Sequence, residues 1–195
     1  MTAAAMHFTG TELTGWLASL LWPFMRVGAM FVAVPIFSAR SVPVRVRVLL
    51  AFIIAWLLVP VIPKPPVIDL ISAEALLISV YQVLIGVAMG FILQMVFSAF
   101  VIAGQSIAMA MGLGFASIVD PQNGVQVPVV SQAFLIMVTL VFLALNGHLL
   151  LIEVLAESFQ RLPVGPLVIS QDGLWQLVSW GSTMFVGGML VALPA

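Results

Sequence analysis

The residues that could do chemistry are few and widely separated in this sequence. Asp120 is the only acidic residue between Glu74 and Glu153, and it precedes Pro121. A proton relay needs further ionisable groups in neighbouring helices, whereas the runs around Asp120 offer mainly glutamines. Because Asp before Pro commonly starts a turn, we favour a turn role for Asp120 and keep proton transfer as the alternative.

Arg26 is the second unusual residue, because it interrupts the first long apolar run. A charge at mid-membrane costs at least about 2.5–3.5 kcal/mol on insertion scales. Arg26 should therefore pair with an acid or with backbone carbonyls, from this chain or another. We favour a structural or interface role over the transport of a charged solute.

Catalytic and metal-binding patterns are missing. The two histidines, His7 and His148, lie far apart, and the chain has no cysteine. No serine–histidine–aspartate, HExxH, P-loop or dinucleotide motif is present, and Gly112 and Gly114 follow no strand. The sequence predicts a protein that is not an enzyme and uses no metal or cofactor.

Composition decides the class of protein. Hydrophobic residues make up 63% of the 195 residues and charged residues only 7%, against about 25% charged in soluble domains. The sequence therefore predicts an integral membrane protein. The net charge of −1 gives no basis for binding nucleic acid.

Apolar runs predict a single all-α membrane domain over residues 1–195. The first run, Leu13 to Phe37, is long enough to cross a bilayer core of about 30 Å. The next loop holds Arg40, Arg45 and Arg47, half of all basic residues, which indicates a cytoplasmic loop. The following run, Val48 to Ile62, is short for a span of about 20 residues.

The middle of the chain carries no Asp, Glu, Lys or Arg from Ala75 to Val119. It fits either two spans in a tight hairpin or one long helix, and we favour the long helix. A Gly- and Pro-rich segment follows, predicted as irregular backbone held inside a membrane assembly. The next helix is predicted from about Pro128 to Ile152, with charged residues beyond it, and a last run from Leu174 to Ala195.

Small residues recur at helical spacing in this middle region, in the pairs Gly86/Gly90, Ala99/Ala103 and Ala108/Gly112. Such spacing lets helix backbones approach closely in membranes. Packing within the chain and packing against partner subunits are equally open. The nearby methionines and phenylalanines are interpreted as ordinary packing, with a deformable seal as the alternative.

The order of motifs resembles the R-subunit family of type III export gates, the FliR/SctT family. The likeness runs from Arg26–Val–Gly–Ala–Met to Val42–Pro43–Val–Arg45 and continues through Gly104–Gln105. It continues with Gly112–Leu–Gly–Phe–Ala–Ser–Ile–Val–Asp–Pro121 and Asn146–Gly–His148, and it ends with Ser158–Phe159 and Pro163–Val–Gly165. It covers nearly the whole chain, although family members continue through another helix pair, which we expect to be missing here.

The resemblance implies a helical subunit of a protein-export channel in the bacterial inner membrane, at the flagellar basal body. It implies a hetero-oligomeric ring with FliP and FliQ, FlhB and FlhA as neighbours, and unfolded flagellar subunits as cargo. An injectisome subunit is the alternative, and a solute transporter a weaker one. The implied channel plug comprises Met111, Gly112, Gly114, Phe115, Asp120 and Pro121. The predicted interface or packing residues are Arg26, Gly86, Gly90, Gly104 and Gln105.

Overall fold

The computed structural model describes residues 10–38, 42–66, 68–69, 72–113, 117–119 and 126–165. The elements in chain order are α1 (Gly10–Ala33), α2 (Pro35–Ser38), α3 (Val44–Leu58), α4 (Ala73–Ala110), β1 (Ser117–Val119), β2 (Gln126–Pro128), α5 (Val129–Ala144) and α6 (Gly147–Arg161). Within these residues, Thr14–Ala33 and Ala73–Ala110 are long and apolar enough to span a membrane, and α5 with α6 adds a third span if the bent pair counts as one. The predicted class, an α-helical membrane protein, is confirmed.

The first three helices form a folded-back unit. Pro23 lies inside α1, and Pro35 follows a break in the helix at Val34, since proline removes a backbone donor. The chain then returns along α1 as α3, with the rings of Phe24 and Phe52 6.2 Å apart. At 15 residues, α3 remains shorter than an ordinary span.

The centre of the fold is α4, a single helix of 38 residues, as favoured from the sequence. The Ser72 hydroxyl accepts a hydrogen bond from the Ala75 amide at 3.1 Å and caps its first turn. At 1.5 Å per residue the helix measures about 57 Å, nearly twice the hydrocarbon thickness of a bilayer.

Two tiers of contacts follow one another along α4. In the first, α1 runs parallel to α4: Trp22 contacts Ser79, Arg26 contacts Gln82, and Gly90 lies against Ala33 near the end of α1. We call α1–α3, α6 and residues 73–93 of α4 the lower tier. The largest cluster of buried apolar side chains lies here and includes Trp22, Phe31, Ile78, Leu155 and Phe159.

The upper tier comprises residues 94–110 of α4, both strands and α5. Here α5 runs antiparallel to α4, with Gly104 against Ser131 and the rings of Phe97 and Phe142 5.9 Å apart. From Gly90 to Ala110 the helix continues for about 30 Å beyond the end of α1. The upper tier is therefore a helical hairpin that projects from the lower tier.

The predicted helix from Pro128 to Ile152 is wrong in its second half. The chain bends by 68° between α5 and α6 because Asn146 adopts a left-handed conformation with φ 56°. Gly147 lies so close to the Phe142 ring that a Cβ would overlap it. Glu153, Glu157 and Arg161, predicted to follow the helix, lie within α6.

The segment predicted as irregular contains a short antiparallel ladder. Ser117 pairs with Pro128, Ile118 with Val127, and Val119 with Gln126. β-branched residues favour strands, and Asp-Pro-Gln-Asn-Gly between them is a turn-forming sequence. The connecting residues 120–125 and the predicted run from Leu174 lie outside the described residues.

Candidate functional site

Arg26 is the most unusual side chain of the lower tier, because it is fully buried. Its Nε donates to Gln82 Oε1 at 2.8 Å, Nη1 donates to Ser158 Oγ at 3.0 Å, and Nη2 donates to the Leu162 carbonyl at 2.8 Å. The guanidinium carbon also lies 3.9 Å from the centre of the Phe159 ring. We call Arg26 and these four partners the Arg26 site.

The Arg26 site joins three helices through neutral groups. The sequence predicted that Arg26 pairs with an acid or with backbone carbonyls. In the structure its partner of this kind is the carbonyl of Leu162. Leu162 is the C-cap residue of α6, and the C-terminal end of a helix carries a partial negative charge that stabilises a nearby cation. The Phe159 face adds a cation–π contact. The end of α6 thus supplies the opposite charge that a carboxylate would otherwise provide.

Neighbouring polar groups continue this arrangement between α1 and α4. Trp22 Nε1 donates to Ser79 Oγ at 3.3 Å, and Ser158 Oγ donates to the Leu155 carbonyl at 2.7 Å. One buried donor, Gln82 Nε2, has no hydrogen-bond partner in the part of the chain described here. The Arg26 site is therefore a structural junction whose remaining free donor belongs to Gln82.

The small residues of α4 make contacts inside the chain. A Cβ on Gly86 would overlap the Arg26 carbonyl, and one on Gly90 would lie 2.5 Å from Ala33 Cβ. Ala29 and Ala33 of α1 thus face Gly86 and Gly90 of α4, a small-residue contact on both helices. For Gly86 and Gly90, the structure therefore supports packing within the chain rather than packing against partner subunits.

Gly104 has the same role in the upper tier. A Cβ there would lie 2.7 Å from Cα of Ser131, so glycine allows α4 and α5 to touch. Gln105, the next residue, is exposed. Its predicted role at an interface with another subunit stays a prediction.

The end of α4 is built around Gly112, whose φ of +73° is left-handed. The Leu113 amide donates to the Ala108 carbonyl at 2.9 Å, and the Gly112 amide donates to the Met109 carbonyl at 3.1 Å. These two bonds form a Schellman motif, which ends a helix with glycine in this position. Gly112 therefore ends α4 and turns the chain toward β1.

Only part of the predicted plug can be located. Met111 is 55% exposed and Leu113 is 47% exposed, so the tip of α4 presents apolar side chains outward. Gly114, Phe115, Asp120 and Pro121 lie outside the described residues. Their plug role stays a prediction.

A family comparison decides the identity of the chain. The model for "Bacterial export proteins, family 1" matches residues 17–195.

This chain belongs to bacterial export protein family 1.

Several relatives are flagellar biosynthetic proteins named FliR. The chain is 38% identical to the flagellar biosynthetic protein FliR of Escherichia coli K12 over 189 residues, which cover 97% of this chain and 72% of that protein. It is 33% identical to FliR of Pectobacterium carotovorum, with coverages of 97% and 72%. For FliR of Bacillus subtilis the identity is 36%, with coverages of 75% and 56%.

The sequence did not indicate most of the partners of Arg26. Ser158 and Phe159 entered only as part of the family likeness, and Leu162 acts through its backbone oxygen, which no sequence pattern marks. Two further buried polar side chains, Ser131 and Gln132, were also missed as site residues. Ser131 Oγ and Gln132 Oε1 are buried and have no hydrogen-bond partner in the described chain. Among the residues that the structure describes, no group of three or more His, Cys, Asp or Glu could hold a metal ion.

Proposed function

We propose that this chain, a subunit of the flagellar type III export gate, forms part of the wall and the closure of the conduit for unfolded flagellar proteins. It would do so in the bacterial inner membrane at the flagellar basal body, in a ring with FliP and FliQ and beside FlhB and FlhA. The role is structural and gating, not catalytic. The observation that carries this proposal is α4, which is about 57 Å long, carries no charged residue after Glu74 and is followed by a strand ladder.

The length of α4 supports membership of a larger assembly. Residues 73–93 measure about 30 Å, which matches the hydrocarbon thickness of a bilayer. The upper tier continues without one charged residue along α4. Met137 and Leu140 of α5 are 53% and 62% exposed, and its C-cap residue Leu145 is 76% exposed. Apolar surfaces of this extent mark interaction sites, and the ring partners of an export gate would cover them.

The tip of α4 supports the closure role. The Schellman motif at Gly112 ends the helix abruptly, and the β1–β2 ladder holds the returning chain close to that end. We propose that the predicted plug from Met111 to Pro121, with Phe115 as its bulky residue, obstructs the conduit.

The contacts of Arg26 argue against the alternative of a solute transporter, in which Arg26 would bind a charged solute. The guanidinium of Arg26 is fully buried and bonded to Gln82, Ser158 and Leu162 of its own chain. A solute site would need that charge to face a cavity. The contacts of Arg26 therefore favour the export-gate role.

Composition of the extracted complex tests the assembly. We expect gentle detergent extraction to yield a particle with one copy of this chain and several copies of two other small helical proteins, measured by native mass spectrometry. A chain that extracts alone and stays folded as a monomer or homodimer would contradict the proposal.

Shortening the loop tests the closure. Deleting residues within 113–120 should leave the complex intact and allow ions to leak through vesicles that contain it, measured as conductance. A control variant keeps the length of the loop but consists of glycine and serine. It separates the effect of side-chain volume on conductance from the effect of loop length. Normal assembly with unchanged conductance in the deletion variant would contradict the proposed plug role.

A further inference from the structure

We propose that Gln94, Ser98 and Gln105, one line of side chains on the upper part of α4, face the water-filled conduit and bind the backbone of the passing polypeptide. This inference rests on the proposed function and names the surface that performs it. The three residues will be called the polar line.

The helical period places these three side chains on one line. With about 100° per residue, Ser98 and Gln105 lie about 40° and 20° around the helix from Gln94. The line extends about 16 Å along the axis. Gln94 and Gln105 are exposed, and Ser98 is half-buried.

The same line is apolar in the lower tier. Val87 and Phe91 lie within about 60° of Gln94 around the helix and are 41% and 50% exposed. The change from Val and Phe to Gln and Ser occurs just above Gly90, where α1 ends against α4. On this side of the helix the exposed residues thus change from Val87 and Phe91 below Gly90 to Gln94 and Gln105 above it. Val101 is half-buried between Ser98 and Gln105, and Met109, at the end of α4, is 70% exposed.

Neither lipid nor this chain accounts for the exposed carboxamides. A carboxamide without a partner is disfavoured in hydrocarbon, so the polar line does not face acyl chains. The contact with α5 uses Gly104, which is turned about 100° from Gln105, and the contact with α1 uses Gly86 and Gly90. The polar line remains outside both contacts.

The chemistry of the polar line suits an unfolded polypeptide. A carboxamide both donates and accepts hydrogen bonds, so it can bind any peptide group whatever the side chain. The line carries no charge, and neither does any residue from Ala75 to Val119. Exported segments of either charge would therefore pass without forming an ion pair with this part of α4.

Cysteine labelling tests the inference directly, because the chain has no cysteine of its own. Gln94→Cys, Ser98→Cys and Gln105→Cys are introduced singly into the full chain, in assembled gates in membrane vesicles. A charged, membrane-impermeant maleimide should label these positions about tenfold faster than controls, since a thiolate reacts only where water reaches it.

Two positions on α4 provide matched controls. The first is Ile92→Cys. Ile92 is 38% exposed and lies close to Gln94 along the axis, but it is turned about 160° from Gln94 around the helix. Val87→Cys lies on the same line within the lower tier. An exported subunit stalled by a folded domain should slow labelling of the polar line several-fold and leave both controls unchanged.

Two results would overturn the inference. Labelling of all three positions as slow as at Ile92 would place the line against a partner helix. Fast labelling that a stalled subunit leaves unchanged would place it in water outside the conduit. Co-purification of the stalled subunit with the wild-type gate checks the proposed function separately, so the two failures are distinguishable.

A variant with conserved assembly adds a functional readout. Gln94→Leu with Gln105→Leu should lower the rate of subunit export several-fold at an unchanged yield of complex, whereas Gln94→Asn with Gln105→Asn should retain export. Equal export by the leucine and asparagine pairs would overturn the role of the carboxamides.

Discussion

The two tiers of this chain differ in their buried charge and in their apolar packing. In the lower tier the buried cation Arg26 finds Gln82, Ser158 and the Leu162 carbonyl within its own chain. In the upper tier Ser131 Oγ and Gln132 Oε1 are buried without a hydrogen-bond partner in the described chain, and Gln94 and Gln105 are exposed. Buried atoms without a partner in the described residues also occur in the lower tier, at Arg47 Nε, Gln82 Nε2 and His148 Nδ1. The contrast therefore rests on the bonded Arg26 and on the cluster of buried apolar side chains, which lies in the lower tier.

This difference separates stability from assembly. The lower tier contains the cluster of buried apolar side chains, whereas α5 of the upper tier exposes Met137 and Leu140, and exposed apolar surface marks interaction sites. Substitutions in the lower tier should therefore act on the fold of the chain itself. Substitutions in the upper tier should act mainly on assembly and export.

Replacing Arg26 gives the largest expected effect. Arg26→Ala removes a buried side chain and leaves the Gln82 and Leu162 acceptors without their donor, each unmade bond costing about 1–3 kcal/mol. We expect a loss of at least about 3 kcal/mol in the free energy of unfolding when the lost packing is included. Thermal unfolding of the purified protein, followed by tryptophan fluorescence, measures it.

Arg161 offers a matched control for this charge. Its contact with Glu157, at 3.4 Å, is exposed, with side-chain exposures of 81% and 54%. Arg161→Ala should change stability by less than about 0.5 kcal/mol. If Arg26→Ala unfolds at the wild-type temperature, the lower tier does not depend on its buried arginine, and the contrast between the tiers fails.

Filling the contact between α1 and α4 gives the next largest effect. A methyl group on Gly86 would meet the backbone of Arg26, which cannot move without shifting α1. Gly86→Ala should therefore cost about 1–3 kcal/mol through overpacking. Gly28→Ala is the control, because a Cβ there meets nothing within 4 Å and alanine favours a helix by up to about 1 kcal/mol.

The sign of the change decides this second test. The same unfolding assay should lower the transition temperature for Gly86→Ala and raise or preserve it for Gly28→Ala. A shift of the same sign and size in both variants would mean that the close approach of α1 to Gly86 is not formed.

Changing the end of α4 gives the smallest effect on stability. Gly112→Ala forces a side chain into a left-handed conformation at a cost of about 1–2 kcal/mol, whereas Gly112→Asn should cost less because asparagine tolerates that conformation. Hydrogen exchange at Leu113, whose amide bonds to the Ala108 carbonyl, should become faster in the alanine variant only. Protection at Ile78 in the lower tier should stay unchanged in both. Loss of protection at Ile78 would contradict the independence of the tiers.

Apolar length and isolated charge predicted much of the fold. The charge-free stretch from Ala75 onward predicted one long helix, which the structure has as α4. The desolvation cost of a charge identified Arg26 as a residue that needs partners. These features follow from local sequence, because hydropathy and charge do not depend on which helix lies next to which.

Features that depend on long-range geometry could not be predicted in the same way. The Asn146–Gly147 pair is a turn signal, but apolar residues on both sides concealed the 68° bend. The carbonyl of Leu162 reaches Arg26 only because that bend turns α6 back to the lower tier. The β1–β2 ladder was missed because three-residue strands are too short to show an alternating pattern.

The continuity of α4 makes the helix a lever. Its contact with α1 at Gly86 and Gly90 lies near the middle, and about 30 Å of helix extends beyond it to Ala110, with α5 packed alongside at Gly104. A tilt of about 10° at this fulcrum would carry the tip through about 5 Å, the spacing between neighbouring extended chains. A small displacement within the bilayer is thereby enlarged at the height where the exported chain would pass.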